Sequence, residues 1–390
     1  MIFQNPILTS LLDTDLYKIT QGQVVFHDFP EAIVEYTFMN RGKTLFPVGF
    51  GKELENHIGL MSVCCRMTKA EYEYLSTLSY FRPNYLEWLR NYIYNPNEVT
   101  IIQSGHDLII KIRGPWYRVI LWEVPLMAMI SELYFKMLGS KKNDNWENII
   151  FDKSHKLSRG PIPHKWSDFG TRRRFSFEVQ NQVVNIMKHF LGFLGTSNPL
   201  LAMNHGVRPI GTMAHEFIMG LSAKYGISSA NLMAMKHWSN FYQGELGIAL
   251  PDTFTTEVFL RDFNGYYTRL FDGIRQDSGD PMDWADELVI PHYQRLGIPT
   301  LGKKLIFSDG LNVDKYIELS NRYRDRFTII GGIGTNLTND VGVKPLNMVI
   351  KLTRADFGRG MIDVIKLSDS KGKHTGNQNA IDLAKEELGI

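Results

Sequence analysis

"FTIIGGIGTNL", residues 327–337, decides the fold. Phe327 to Ile330 is a short apolar run of the length and β-branched content of a buried strand. It stops abruptly at Gly331, Gly332, Gly334 and Thr335, and a helix-like segment lies on either side. The same grammar recurs along the second half of the chain. About seven strand-like runs end at "DFGTRR", "GTSN", "GTMAHE", "LPDT", "RQDSGDP", "FSDG" and "GGIGTN". Helical stretches such as "SFEVQNQVVNIMKHFLG", "TTEVFLRDFNGYYTRLF" and "VDKYIELSNRYRDR" lie between most of them. Alternating β and α units imply a parallel sheet. Seven or eight units in roughly 200 residues predict a (β/α) barrel, with a doubly wound open sheet as the rival. The small and polar residues fall at the C-terminal ends of these strands, which in a barrel converge on one mouth.

The first part of the chain reads differently. "AIVEYTFMN" (residues 32–40) alternates as a half-buried strand. "TKAEYEYLSTL" opens with a capping box, Thr68 and Glu71. "RPNYLEWLRNY" carries apolar residues at helical spacing. "EVTIIQSG" and "DLIIKIRG" form a hairpin pattern around Gly105 and His106, and "VILWEVPLMAMISELYFKML" predicts one long helix kinked at Pro125. We therefore divide the chain into an α+β domain over residues 1–138 and a (β/α) barrel-like catalytic domain over 139–344, which opens with the helix "NWENIIFDKSHKL". The tail, 345–390, reads strand, strand, helix and is expected to return to the first domain.

Composition sets outer limits. The 390 residues carry 43 basic and 41 acidic side chains, a net charge of +2, and 44% are hydrophobic. That balance argues against a broad nucleic-acid or membrane-binding surface and leaves room for a local basic pocket. The two cysteines, Cys64 and Cys65, are adjacent. Neighbouring cysteines make a strained disulfide and too few ligands for a zinc site, so a reduced, cytoplasmic protein is expected. The start "MIFQNPILTS" lacks the pattern of a signal peptide, and no run reaches the length of a membrane span.

Each motif has two readings. "GGIGTNL" is a phosphate-approaching backbone or a tight barrel corner. In "RQDSGDP" Arg275 and Asp277 sit at alternate positions of an extended chain and can point the same way. They suit a charged, hydroxyl-bearing substrate or Mg²⁺, or else an ion pair before a helix entrance. Asp309 of "FSDGLN" takes ribose hydroxyls or a metal, or makes an Asx turn. "DFGTRRR" offers Phe169 for stacking and Arg172, Arg173 and Arg174 for anions. A solvated helix start is the other reading, weakened because cations are unfavourable at a helix N-terminus. "TDLYK" (residues 14–18), alone, is a capped helix start. His215 of "GTMAHE" lacks the second ligand at helical spacing that a metal site needs, and no nucleophile elbow awaits it. A general base, a phosphate carrier and a plain helix-start histidine remain open. His27, His106 and His189 read as structural or surface residues.

Together, "TDLYKIT", "DFGTRRR", "GTSN", "GTMAHE", "RQDSGDP", "FSDGLN" and "GGIGTNL", in this order, resemble nicotinate phosphoribosyltransferase over essentially the whole chain. The resemblance implies the type II phosphoribosyltransferase fold, an incomplete (β/α) barrel joined to an α+β N-terminal domain. It implies transfer of phosphoribosyl from 5-phosphoribosyl 1-diphosphate (PRPP) to nicotinate on a salvage route to NAD, a ligase-type reaction coupled to ATP hydrolysis with His215 transiently phosphorylated. It further implies Mg²⁺, held through Asp277 and Asp309, and a homodimer whose Asp15 and Tyr17 come from the neighbouring subunit. Tyr17 and Phe169 would sandwich the pyridine ring, and Arg172 and Arg275 would face anions. The 331–334 turn with Thr335 would cradle the 5′-phosphate. The relative that uses nicotinamide carries an acidic residue in the turn matching "GTSN"; here Ser197 and Asn198 are neutral, which favours the acid. Nicotinamide as substrate, and a non-catalytic ligand-binding protein on the same fold, are the alternatives; quinolinate is disfavoured.

Overall fold

The computed structural model of the chain describes residues 5–370 and 373–390. Seven strands form one sheet: β4 (Lys165–Asp168), β5 (Phe193–Thr196), β6 (Arg208–Pro209), β7 (Ile248–Ala249), β8 (Gly273–Gln276), β9 (Lys304–Phe307) and β10 (Thr328–Ile333). Every neighbouring pair is parallel. The order is β6-β5-β4-β10-β9-β8-β7. Spatial order thus follows chain order from β7 round through β10 to β4 and on to β6. This is a barrel's cyclic arrangement left open between β6 and β7, not the reversal of a doubly wound sheet.

The outer helices form for local reasons. Val313–Tyr323 places Tyr316, Leu319 and Tyr323 on one buried stripe, and its cap Asn312 accepts from Lys315 N–H. Phe177–Met187 buries Val179, Val183, Val184 and Met187, capped by Ser176. The stretch "TTEVFLRDFNGYYTRLF" is two helices, Thr256–Asp262 and Gly265–Leu270, because the Asn264 carboxamide accepts from Tyr266 and Tyr267 N–H and starts a new one.

A second sheet is antiparallel, in the order β12-β11-β1-β3-β2. It comprises β1 (Ile33–Met39), β2 (Val99–Ser104), β3 (Asp107–Pro115), β11 (Val349–Asp356) and β12 (Ile362–Asp363). β1 alternates as its sequence requires, with Val34, Tyr36 and Phe38 buried. β2 and β3 pair as the expected hairpin. The capping box at Thr68 and Glu71 is formed in both directions. Strand β11, from the tail, pairs along the whole of β1 and lies between it and the edge strand β12.

Two expectations need correction. The long helix is broken: Trp116–Val119 and Glu123–Met137 are separate, and Pro125 lies in the first turn of the second. A first-turn residue has no intrahelical partner for its N–H, so proline is tolerated there and the bend falls before it. "GMIDVIKLS" is a strand only at Ile362–Asp363; beyond it Lys366 makes a single bridge to Thr375. No helix among the described residues is long and apolar enough to cross a membrane.

Candidate active site

The site lies at the C-terminal ends of the barrel strands, where Phe169, Ser197, His215, Asp277 and Asp309 follow β4, β5, β6, β8 and β9. A small inner pocket of about 50 Å³ is lined by Asp15, Tyr17, Phe169, Arg172, Ser197, Gly211, His215, Arg275 and Asp277, among others. It opens into a lobe of about 400 Å³ lined by Phe169, Arg172, Arg173, Arg275, Asp277, Ser308, Gly332, Gly334 and Thr335. A second lobe of about 670 Å³ adds Arg41, Asp309 and Lys373. Cationic side chains recur around these lobes, as a ligand rich in phosphates requires. A further cavity of about 760 Å³ is lined by Glu257, Asp280, Asp283, Glu287 and Asp369, with few cations, and is unsuited to phosphate.

His215 is the first residue of the helix His215–Tyr225. Its Nε2 lies 2.7 Å from Asp252 Oδ1 and 3.6 Å from Asp277 Oδ2. Lys366 Nζ stands 3.0 Å from the same nitrogen and donates to Asp252 Oδ2 at 2.7 Å. Ser278 Oγ donates to that oxygen as well, at 2.7 Å. Burial favours the neutral form of Asp252, but the His215 and Lys366 charges outweigh it and hold the carboxyl below its usual range. The ionised Asp252 only accepts and the Lys366 ammonium only donates; the shorter contact, 2.7 Å to Asp252, favours the proton on Nε2 and the lone pair on Nδ1. Burial lowers the His215 pKa to about 4, with Asp252 opposing and Lys366 assisting. The ring is therefore a neutral nucleophile at neutral pH.

Asp277 accepts from Ser308 Oγ at 2.7 Å and lies 3.6 Å from Arg275. Burial would raise its pKa; Arg275 and His215 override this and hold it ionised. Asp309 is pushed up by burial, with Asp277 and Asp252 adding to the effect and Lys373 opposing. Asp277 forms with His215 and Asp252 a group whose donor atoms lie within 4.8 Å of one another, and its hard carboxylate oxygens beside a phosphate-sized cavity fit a Mg²⁺ ion.

The "TDLYK" segment corrects one expectation. Asp15 and Tyr17 line the pocket of their own chain. Asp15 occupies the N-cap of the helix Leu16–Asp28 yet makes no cap bond. Its carboxylate accepts instead from Ser197 Oγ at 2.6 Å, while Leu16 N–H donates to Ser197 O at 2.7 Å. Arg172 Nε is 3.5 Å from Asp15. The "GTSN" turn is thus neutral in sequence but not in space: an acidic group from another element sits on Ser197.

The three arginines separate. Arg174 is wholly buried and clamps Asp13 with two bonds, 2.6 and 2.7 Å. Arg172 and Arg173 line the cavities. The glycines separate too. Gly331 and Gly332 are strand residues of β10, not turn residues. A Cβ on Gly331 would meet the Tyr316 ring at 2.8 Å, and one on Gly332 the Phe169 ring at 2.6 Å. Gly332, Gly334 and Thr335 face the outer lobe, whereas Gly331 lies under Tyr316.

Sequence reading missed Asp252, Lys366, Ser278 and Ser308. Asp252 was visible as the aspartate of the strand-end turn "LPDT"; Lys366, beyond β11, had no local signal.

Comparison with known proteins gives the family. The nicotinate phosphoribosyltransferase (NAPRTase) family matches residues 164–390, and the N-terminal domain of that family matches 12–131. A nicotinate phosphoribosyltransferase of Chromohalobacter salexigens is 44% identical, covering 98% of this chain and 99% of its own. One of Desulforapulum autotrophicum is 45% identical, covering 96% and 97%. The crystal structure of the Porphyromonas gingivalis nicotinate phosphoribosyltransferase superposes with a TM-score of 0.95 at 40% identity, over 98% of this chain and all of that one. The chain belongs to the nicotinate phosphoribosyltransferase family.

Proposed function

We propose that this protein transfers the phosphoribosyl group of PRPP to nicotinate, giving nicotinate mononucleotide and diphosphate, with ATP hydrolysis coupled through His215. The observation that carries this reading is the inner pocket, where two aromatic side chains, two guanidinium groups and a neutral histidine held by a carboxylate meet. The pyridine ring enters between Tyr17 and Phe169, and Arg172 faces its carboxylate. The ring nitrogen attacks C1 of the ribose; the C1–O bond to diphosphate breaks and the electron pair leaves with diphosphate. Positive charge develops on the sugar, which Asp277 and Asp309 stabilise, while Arg275, Arg173 and Lys373 suit the departing anion. Gly332, Gly334 and Thr335 line the space for the 5′-phosphate. A Mg²⁺ ion held by Asp277 and Asp309 would neutralise diphosphate oxygens.

In the ATP half-reaction His215 Nδ1 attacks the γ-phosphorus and ADP departs with the bridging oxygen. Water later cleaves the P–N bond and regenerates the imidazole. Lys366 and the helix N-terminus favour the added negative charge.

Nicotinamide is the second reading, favoured by one observation: Asp15 stands on Ser197, where a carboxylate could accept from an amide. Arg172, beside Asp15, offsets that charge and leaves the acid preferred. A homodimer belongs to this reading as an assembly, with Asp15 and Tyr17 supplied within each chain. A cytoplasmic location accords with the two free cysteines. Product analysis with nicotinate or nicotinamide and PRPP, with and without ATP, is the test. Nicotinate mononucleotide, increased by ATP, is expected; nicotinamide turnover of equal efficiency would replace the reading, and binding without turnover would leave a ligand-binding protein.

A further inference from the structure

One buried ionic group takes no part in the chemistry above. Lys18 has no exposed side-chain surface. Its ammonium lies 2.6 Å from Glu216 Oε1 and also in direct contact with Glu123 Oε2. Gln21 Nε2 donates to the same Glu216 oxygen at 2.9 Å, and Gln21 Oε1 accepts from Ala214 N–H at 2.9 Å. Thr20 Oγ1 donates to Thr212 O at 3.1 Å. Three polar residues of the helix Leu16–Asp28, Lys18, Thr20 and Gln21, therefore grip the segment that delivers His215. At the far end of the group, Glu123 Oε1 lies 4.0 Å from Arg172 Nη1. Arg172 in turn stands over the Tyr17 ring, 5.9 Å from its centroid.

Desolvating a lysine and two glutamates is costly, and apolar packing of equal volume often stabilises a fold as well. Stability alone does not explain this group. Its placement does: one end is Glu216, the residue after His215, and the other is the guanidinium of the pyridine pocket. We propose that Lys18 is a positioning residue that links the charge carried by His215 to the placement of Tyr17 and Arg172 against the pyridine ring. This rests on the phosphohistidine reading above. Phosphorylation adds about −1.5 to −2 charges one residue before Glu216. The Lys18 ammonium, shared between two carboxylates, is then drawn toward Glu216. Glu123 is released to hold Arg172, and the pocket closes on nicotinate. The two positions of one ammonium supply the two states that such coupling needs.

The test measures the KM for nicotinate with and without ATP in the full-length wild type, Lys18→Met and Lys18→Arg, alongside radiolabel from [γ-³²P]ATP on the protein. In Lys18→Met the ATP effect on KM should vanish and KM with ATP should rise about tenfold, the scale of one lost charge-assisted bond. Label on His215 should persist, with kcat changed by less than about threefold. Lys18→Arg, which keeps the charge, should restore most of the ATP effect. An unaltered ATP effect in Lys18→Met overturns the proposal, as does an Arg variant no better than the Met variant. Absence of label in the wild type would instead remove the phosphohistidine reading. Should Lys18→Met not fold, Glu123→Gln, which preserves shape, is read by the same KM ratio with the same two outcomes.

Discussion

At the scale of the residue, the site depends on a histidine kept neutral. His215 titrates ordinarily at 6.5 and is brought down to about 4, chiefly by burial. The sign for stability follows: between those values the unfolded chain binds a proton that the folded chain refuses. Stability therefore falls as pH drops from about 6.5 toward 4, by up to about 3 kcal/mol. Metal-free wild type should lose Tm over that window relative to His215→Gln, which cannot titrate; parallel Tm curves would contradict the assignment. In the proposed reaction Asp252 fixes the tautomer with its lone pair on Nδ1. Asp252→Asn can offer an amide N–H to Nε2 and so move the proton to Nδ1. Phosphorylation from labelled ATP should slow by about 10²–10⁴-fold, whereas a rate near wild type would mean that Nδ1 is not the nucleophile. His215 was legible in the sequence as a helix-start histidine among phosphate-seeking motifs. Asp252 was legible only as a polar strand end, because the contact between them spans residues 215 and 252 and has no local pattern.

At the scale of the element, "TRRR" shows how one run divides its labour. The segment Thr171–Arg173 is a single 3₁₀ turn. Such a turn points successive side chains in different directions, so Arg174 enters the core while Arg172 and Arg173 face the cavities. Arg174→Met leaves Asp13 buried without its cation, although Asn198 Nδ2 still donates to it at 2.7 Å. A loss of about 3–5 kcal/mol is expected, seen as a lowered denaturant midpoint. Arg172→Met should fold normally and raise the KM for nicotinate by about tenfold or more. If the two variants exchanged phenotypes, the division would be wrong. The sequence announced a cluster of cations and could not say which was structural, since that depends on Asp13 arriving from the other end of the chain. The same limit explains Asp15. "TDLYK" read as a capped helix start, and Asp15 does stand at the N-cap position, but its carboxylate is spent on Ser197 and the helix starts without a cap bond. It also explains Gly331 and Gly332, which read as a turn because glycine is rare inside strands. They are strand residues made necessary by the rings of Tyr316 and Phe169.

For the whole molecule, periodicity disclosed the parallel barrel because each βα unit is local, and the rule that barrel sites form at strand C-termini placed the mouth correctly. The antiparallel sheet was legible strand by strand but not as an arrangement, since β1 and β11 are separated by more than three hundred residues of sequence. The arrangement has a consequence for assembly. The helix Leu16–Asp28 is joined to the barrel through Ser197, Thr212, Ala214 and Glu216, all of the same chain. These contacts are buried, and breaking them would strand Lys18 and Glu216 as unpaired charges. The segment is thus held on its own barrel, and one chain supplies both aromatic side chains of the inner pocket, Tyr17 and Phe169. A second copy is then not required to complete that pocket. Specific activity per chain should stay constant when the enzyme is diluted from micromolar to nanomolar concentration, while sedimentation or mass photometry follows any dimer to monomers over the same range. Activity that falls in step with dissociation would show that some other part of the site is supplied by a second copy. It would also turn attention to the 670 Å³ lobe around Arg41 and Lys373, which shares only Phe169 and Arg172 with the inner pocket.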